Sequence, residues 1–314
     1  MIAGKPPGKP LALIALLGSM WGLHFSLIRI IGESGMALGW IVAATSIGNT
    51  LILCLVAAVR RKMPGLAPGA LFYYLACASI GYLAPFLLEL YSAPRIGAGI
   101  LTFVVCLTPL ATAILAMLLR ADIVTGRKLV AITLGFMSLV PLLTATLGDG
   151  FGSFSLGLLA ALGVPVAYGI YHNLVAKYWP TGQDSWQVAS GEAIAFCLIM
   201  IPVYLASDGA AVPRLDWTGA EWAILLMILF SAVEIYLYFE IVRLAGAIFV
   251  SQASFITVPT GVLWGMVLFG ERHDSWILFS ILLLALSLIL AATPAKDEKH
   301  AIESAIRPGA KPGS

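Results

Sequence analysis

Ten apolar runs, each close to the length of a membrane span, occupy most of the 314-residue sequence. A helix needs roughly 20 consecutive apolar residues to cross the hydrocarbon core of a bilayer. The predicted spans are 11–31, 38–59, 70–92, 96–119, 128–148, 155–176, 186–206, 220–242, 246–269 and 275–292. The sequence therefore predicts an all-α integral membrane protein with ten transmembrane helices.

One segment of the sequence occurs twice. LTPLATAILAMLLR starts at Leu107, ITVPTGVLWGMVLFGE starts at Ile256, and each copy lies late in a set of five spans. An odd number of spans reverses the orientation of the second copy, and such inverted repeats are typical of secondary transporters. We expect a cytoplasmic segment at 1–10, five-helix repeats at 11–148 and 155–293, and a disordered cytoplasmic tail at 294–314.

Composition and charge agree with a membrane protein. Apolar residues make up 60% of the chain and charged residues 11%, whereas soluble domains have about half and about a quarter. Of the 18 Lys and Arg residues, all but Arg29, Arg95, Arg214 and Arg272 fall on the side of the predicted termini. By the positive-inside rule both termini are cytoplasmic, in a multi-pass protein of the inner (plasma) membrane. A net charge of +2 argues against a nucleic-acid partner.

The sequence contains no motif for metal binding or for ATP hydrolysis. The four cysteines, Cys54, Cys77, Cys106 and Cys197, lie inside predicted spans without a metal-ligand spacing. No Walker motif suggests direct use of ATP. The histidines are scattered one per segment, so we expect neither a metal site nor a cofactor.

Acidic residues within spans are the strongest candidates for function, because an ionised carboxylate at mid-bilayer costs roughly 2.5–3.5 kcal/mol on insertion scales. Glu234 is the deepest, and Tyr238 follows one helical turn later. Either Glu234 binds a substrate ammonium or a coupling proton, or it is a hydrogen-bonded residue of helix packing. His24, near the middle of the first span, is a second candidate for proton coupling or an ordinary packing residue.

Three further residues are candidates for substrate binding. Glu89 follows Gly81 and Pro85 in the third span, which suggests a bent helix that presents it inward; a structural pair with Arg95 is the alternative. Tyr171 and His172 belong to a polar aromatic cluster in the sixth span, suited to a cationic or amphipathic substrate or to the membrane interface. Glu192, in the seventh span, has no spacing that assigns it to a cavity.

The repeated prolines predict interruptions that face the interior. Pro109 and Pro259 each remove a backbone donor, and the freed carbonyl needs a partner in a neighbour or a watery cavity. Thr102 and Gln252 stand seven residues before these prolines at nearly the same helical angle. Either these four residues belong to a binding site on the repeat axis, or the polar pair joins helices by hydrogen bonds.

Residues around the prolines resemble the drug/metabolite transporter superfamily, in its ten-helix EamA type. The second half carries the resemblance with Arg243, Gly246, Ala247, Pro259, Gly265 and Gly270-Glu271, and the first half with Gly97, Ala98 and Pro109. The first half departs where Arg120-Ala121-Asp122 replaces Gly-Glu, and His24 departs from the small polar residue more usual beside Trp21-Gly22 and Phe25. The resemblance implies a central cavity lined by helices one, three, four, six, eight and nine, and export or exchange of small metabolites, often amino acids or amphipathic compounds.

We therefore expect a secondary transporter with a small-molecule substrate, in a lipid bilayer, working by alternating access and without enzymatic activity. The rival hypotheses are a membrane-embedded lipid-modifying enzyme and a non-transporting receptor or assembly subunit. Gly261 and Gly265 form a GxxxG step, which packs either a second copy in a homodimer or an internal neighbour.

Overall fold

A computed structural model describes residues 8–118, 126–138, 140, 153–206, 217–245, 250, 253–271 and 275–292. The regular elements in these ranges are all helices, without a strand. They are α1 (Gly8–Glu33), α2 (Leu38–Val59), α3 (Pro68–Cys77), a π-helical turn (Ala78–Leu83), α4 (Ala84–Ile96), α5 (Ala98–Val105), α6 (Thr108–Leu118), α7 (Gly126–Met137), α8 (Ser153–Tyr178), α9 (Ser185–Ala206), α10 (Gly219–Ala245), α11 (Ser254–Phe269) and α12 (Ser275–Ala292).

Seven helical segments of the described chain are long and apolar enough to cross a membrane. They coincide with predicted spans one to four and six to eight. The third of these segments consists of α3, the π turn and α4, and the fourth consists of α5 and α6. α11 contributes a shorter apolar helix in predicted span nine, and α7 and α12 lie in predicted spans five and ten. The prediction of an all-helical, multi-pass membrane protein is confirmed.

The distribution of side chains is the reverse of that in a water-soluble protein. Large apolar residues such as Leu51, Val59 and Phe72 are 64%, 77% and 74% exposed. Polar residues inside the helices, such as Ser26 and Asn49, are buried. Exposed apolar surface of this extent suits lipid as the solvent, and it leaves the polar groups to find partners within the bundle.

The third span is interrupted by the π turn, at the site where the sequence predicts a bend. Pro85 lies in the first turn of α4, where its missing N–H is tolerated. Gly81, within the π turn, packs so closely on Tyr171 of α8 that an added Cβ would lie 2.2 Å from the tyrosine ring. A glycine is required here because the two helices meet at this point.

The fourth span is interrupted as predicted, between α5 and α6. Pro109 cannot donate to the carbonyl of Val105, four residues earlier, and the hydroxyl of Thr108 donates to that carbonyl instead at 2.6 Å. The second predicted interruption is wrong, because α11 runs without a break through Pro259. Packing explains the difference: α11 lies along α1 and α5, and Thr260 donates to the carbonyls of Ile256 at 2.7 Å and of Gly18 in α1 at 3.4 Å.

A carboxylate joins the two halves of the chain at one end of the bundle. Glu271, just after α11, pairs with Arg29 of α1. It also accepts hydrogen bonds from the first two N–H groups of α5, those of Ala98 at 3.0 Å and Gly99 at 3.2 Å. Arg29 also pairs with Glu33 at 2.7 Å, as the helical spacing allows. We call Arg29, Glu271 and the start of α5 the end clamp.

A second set of contacts joins the halves at the opposite end. Lys62, between α2 and α3, pairs at 3.1 Å with Asp184, which precedes α9. Asp184 also accepts hydrogen bonds from the N–H groups of Trp186 and Gln187. Partial burial alone would raise the pKa of the Asp184 carboxyl, but the hydrogen bonds from Gln187 and Lys62 outweigh it and hold this pKa below its usual value.

Candidate functional site

A cavity opens among the helices near the middle of the bundle. It offers about 120 Å³ to the centres of water molecules, well above the roughly 10–15 Å³ that one water requires. Seven of the sequence-predicted site residues line it: His24, Glu89, Pro109, Tyr171, His172, Glu234 and Tyr238. The cavity can therefore hold several water molecules or a small solute.

A close contact between two ionisable side chains in the cavity joins the two halves. Nδ1 of His24, on α1, lies 3.0 Å from Oε2 of Glu234, on α10. The ring nitrogen is not aligned for a hydrogen bond, so this is a close electrostatic contact. Oε1 of Glu234 is buried without a partner among the described residues. This free oxygen is available to a cationic group or a proton in the cavity.

A second carboxylate, Glu89 of α4, is 1% exposed and also faces the cavity. The hydroxyl of Tyr168, on α8, donates to Oε1 of Glu89 at 3.1 Å. The alternative pairing of Glu89 with Arg95 is wrong. Six residues along a helix turn the side chain about 120° away, and Arg95 instead donates to the carbonyl of Tyr91 and lies over its ring.

Stacked aromatic rings form one wall of the cavity. Tyr238 of α10 stacks on Tyr171 at 5.3 Å and on His172 at 5.5 Å between ring centroids, with interplanar angles of 24° and 23°. Both partners lie on α8, which belongs to the same half of the chain as α10. Flat aromatic faces beside two carboxylates suit a substrate with a cationic or flat apolar part.

The remaining predicted residues lie elsewhere. Thr102 is fully buried; its hydroxyl donates to the carbonyl of Ala98, and an added Cβ at Gly261 would meet it. Pro259 is not among the residues that line the cavity, and Gln252 lies outside the described residues. Thr102 therefore serves the contact between α5 and α11, and the GxxxG step packs an internal neighbour.

Sequence reasoning missed several polar residues that line the cavity. They are uncharged side chains on five helical segments: Thr45, Asn49, Tyr82, Thr108, Ser231, Ser254 and Thr257. Thr45 and Asn49 stand four residues apart on α2, a helix that the family resemblance does not assign to the cavity. Their spacing places both on one face of an apolar helix, which is the signal that could have identified them.

Fold and cavity together define the class of protein: a multi-pass helical membrane protein with a largely apolar cavity among its spans, into which a few ionisable and polar side chains face. The family model described as the EamA-like transporter family matches residues 8–144. This match confirms, over residues 8–144, the resemblance to the drug/metabolite transporter superfamily.

The crystal structure of a protein matches this chain with a TM-score of 0.61 and 15% sequence identity. The match covers 92% of this chain and 99% of the other chain. At this identity the likeness concerns the fold alone. No curated protein matches the chain.

Proposed function

We propose that the protein is a secondary transporter that exports or exchanges small metabolites across the inner (plasma) membrane. The observation that carries this proposal is the cavity within the bundle, where His24, Glu234 and Glu89 lie among apolar helices. Charged side chains in such a position are unfavourable unless they serve a partner or a solute. The match of residues 8–144 to a transporter family supports the same function.

The chemistry of the cavity favours amino acids and other amphipathic amines as substrates. Glu89 and Glu234 supply two acidic groups for an ammonium, and the stacked Tyr171, His172 and Tyr238 supply a face for an apolar part. His24 and Glu234 are the proposed proton-coupling pair, because a proton and a substrate ammonium would compete for the same carboxylate.

Alternating access between two inverted five-helix repeats is the proposed mechanism. Its support is a pattern of helix pairs that is preserved when the halves are exchanged. α1, the first helix of the first half, packs on α10 and α11 of the second half. α8, the first helix of the second half, packs on their counterparts in the first half, which are α4 for α10 and the pair α5 and α6 for α11. Exchanging the halves also leaves three helix pairs unchanged: α2 with α9, α7 with α12 and α5 with α11.

A labelling experiment tests the inversion. Ala37 and Thr181 are exposed residues in the corresponding connections α1–α2 and α8–α9. If the repeats are inverted, Ala37→Cys reacts with a membrane-impermeant maleimide from outside the cell, and Thr181→Cys reacts only after the membrane is opened. The parent chain, with its four native cysteines, is the control. Labelling of both positions from the same side contradicts the inverted topology.

Flux through liposomes tests the proposed function. We expect the purified protein to release preloaded radiolabelled amino acids or small amines, with a rate that saturates with concentration and exceeds that of protein-free liposomes. An enzyme would convert a lipid without moving solute, and a receptor would do neither. Absence of flux for a panel of amino acids, amines and neutral amphipathic compounds would overturn the proposal.

A further inference from the structure

A small space beside the main cavity holds two oxygen atoms without hydrogen-bond partners. Glu192 of α9 and Asn49 of α2 both line it and are 2% and 1% exposed. Oε1 of Glu192 and Oδ1 of Asn49 are buried, and neither has a partner among the described residues. Both atoms are acceptors, and the space is too small for a water molecule. A hydrogen that satisfies either oxygen can therefore come only from one of the side chains around the space.

The surroundings of Glu192 supply no positive charge. The titratable groups that face it are those of Tyr73, Cys77, Tyr82, Tyr171 and Tyr238. None of these is a cation, and no ion pair to Glu192 occurs within the described part of the chain. A buried carboxylate that lacks a counter-charge is strongly disfavoured, whereas the neutral acid is not.

One oxygen of Glu192 is already satisfied. The hydroxyl of Tyr171 donates to Oε2 of Glu192 at 3.2 Å, while the amide nitrogen of Asn49 donates to the hydroxyl of Tyr82 at 3.0 Å. Oε2 is thus the atom suited to be the carbonyl oxygen of a carboxylic acid, and Oε1 the atom suited to bear the hydrogen.

We propose that Glu192 is a proton-binding site distinct from the His24–Glu234 pair, with its proton on Oε1 and its carbonyl oxygen held by Tyr171. This inference deepens the proposed transport function, on which its physiological meaning rests. The proton on Oε1 faces the space shared with Asn49, whose Oδ1 needs a donor.

The site is connected to the substrate cavity through shared walls. Asn49, Tyr82 and Ile235 line both the small space and the main cavity. Tyr171 lines the main cavity, stacks on Tyr238 and donates to Glu192. Gain or loss of the proton therefore changes the charge of the carboxyl group that accepts the Tyr171 hydrogen bond, next to the aromatic wall that a substrate would contact.

Infrared spectroscopy of the purified protein in lipid bilayers tests the site, with the proton itself as the probe. At neutral pH we expect the carbonyl stretching band of a protonated carboxylic acid, and we expect Glu192→Gln to lose one residue's share of its intensity. Tyr171→Phe should keep the intensity but move the band to higher frequency, because the carbonyl loses its hydrogen bond. The matched control is Glu33→Gln, an exposed carboxylate, which should leave the band unchanged.

The outcomes separate this inference from the proposed function. Unchanged intensity in Glu192→Gln would show that Glu192 is ionised and would overturn the inference, whether or not the protein transports solute. If Glu192→Gln does not fold, Tyr171→Phe decides alone, and an unshifted band overturns the inference. Absence of flux through liposomes, by contrast, would overturn the transport function and leave the infrared result intact.

Discussion

Glu234→Gln is expected to reduce transport to the leak of protein-free liposomes. The substitution keeps the shape of the side chain but removes the charge that lies 3.0 Å from His24 and the free oxygen offered to the cavity. An amide neither attracts an ammonium as a carboxylate does nor accepts a proton. Initial rates of solute flux, with purified protein reconstituted at equal density, measure the effect.

Correct folding must be shown for this variant. Yield and a single symmetric peak in size-exclusion chromatography should match the wild type, because glutamine fits the same volume. Glu221→Gln is the matched control: Glu221 lies on the same helix, in its first turn, and does not line the cavity. Wild-type flux in Glu234→Gln would show that this carboxylate is structural.

Glu271→Ala is expected to destabilise the protein by about 3 kcal/mol. This is the lower end of the range found when one partner of a buried ion pair is removed, because the pair with Arg29 is partly buried. The change leaves Arg29 without its partner across the two halves. It also leaves two N–H groups of α5 without acceptors. At roughly 2–4 °C per kcal/mol, thermal unfolding at a fixed scan rate should show a clear fall in the unfolding temperature.

Glu33→Ala provides the comparison for the end clamp, because Glu33 pairs with the same arginine. Its side chain is 43% exposed, against 13% for Glu271. An exposed pair of this kind contributes about 0–1 kcal/mol, so the unfolding temperature should change little. Equal effects of the two substitutions would mean that contact with Arg29, and not the start of α5, accounts for the stabilisation.

The helices could be predicted from the sequence because the bilayer leaves few choices. A chain in lipid must satisfy its backbone groups internally, so long apolar runs become helices. The interruption at Pro109 was predictable for the same reason, since a missing N–H leaves a carbonyl in need of a partner. Pro259 has the same local chemistry, yet α11 continues through it. Contacts with α1 and α5 decide that case, and a local pattern does not contain them.

The candidate site was predictable where it is charged. Glu89 and Glu234 stood out because carboxylates in spans are unfavourable, and both line the cavity. Thr45 and Asn49 did not stand out, because uncharged polar residues are tolerated in spans: Thr45 donates to carbonyls of its own helix and Asn49 to the hydroxyl of Tyr82. Thr102 was assigned from its helical angle, but the direction of a helix face depends on how the helices pack.

The π turn in the third span affects where the length of this helix can change. A π turn accommodates one residue more than the α-helical turn around it, and each residue advances an α-helix by about 100°. Deleting Ser79 or Ile80 of the π turn, neither of which lines the cavity, would therefore restore a regular turn and leave Glu89 facing the solute, whereas a deletion in the regular helix just before Glu89 would rotate its side chain away. The π turn is thus the place in this span where a residue can be lost without changing specificity.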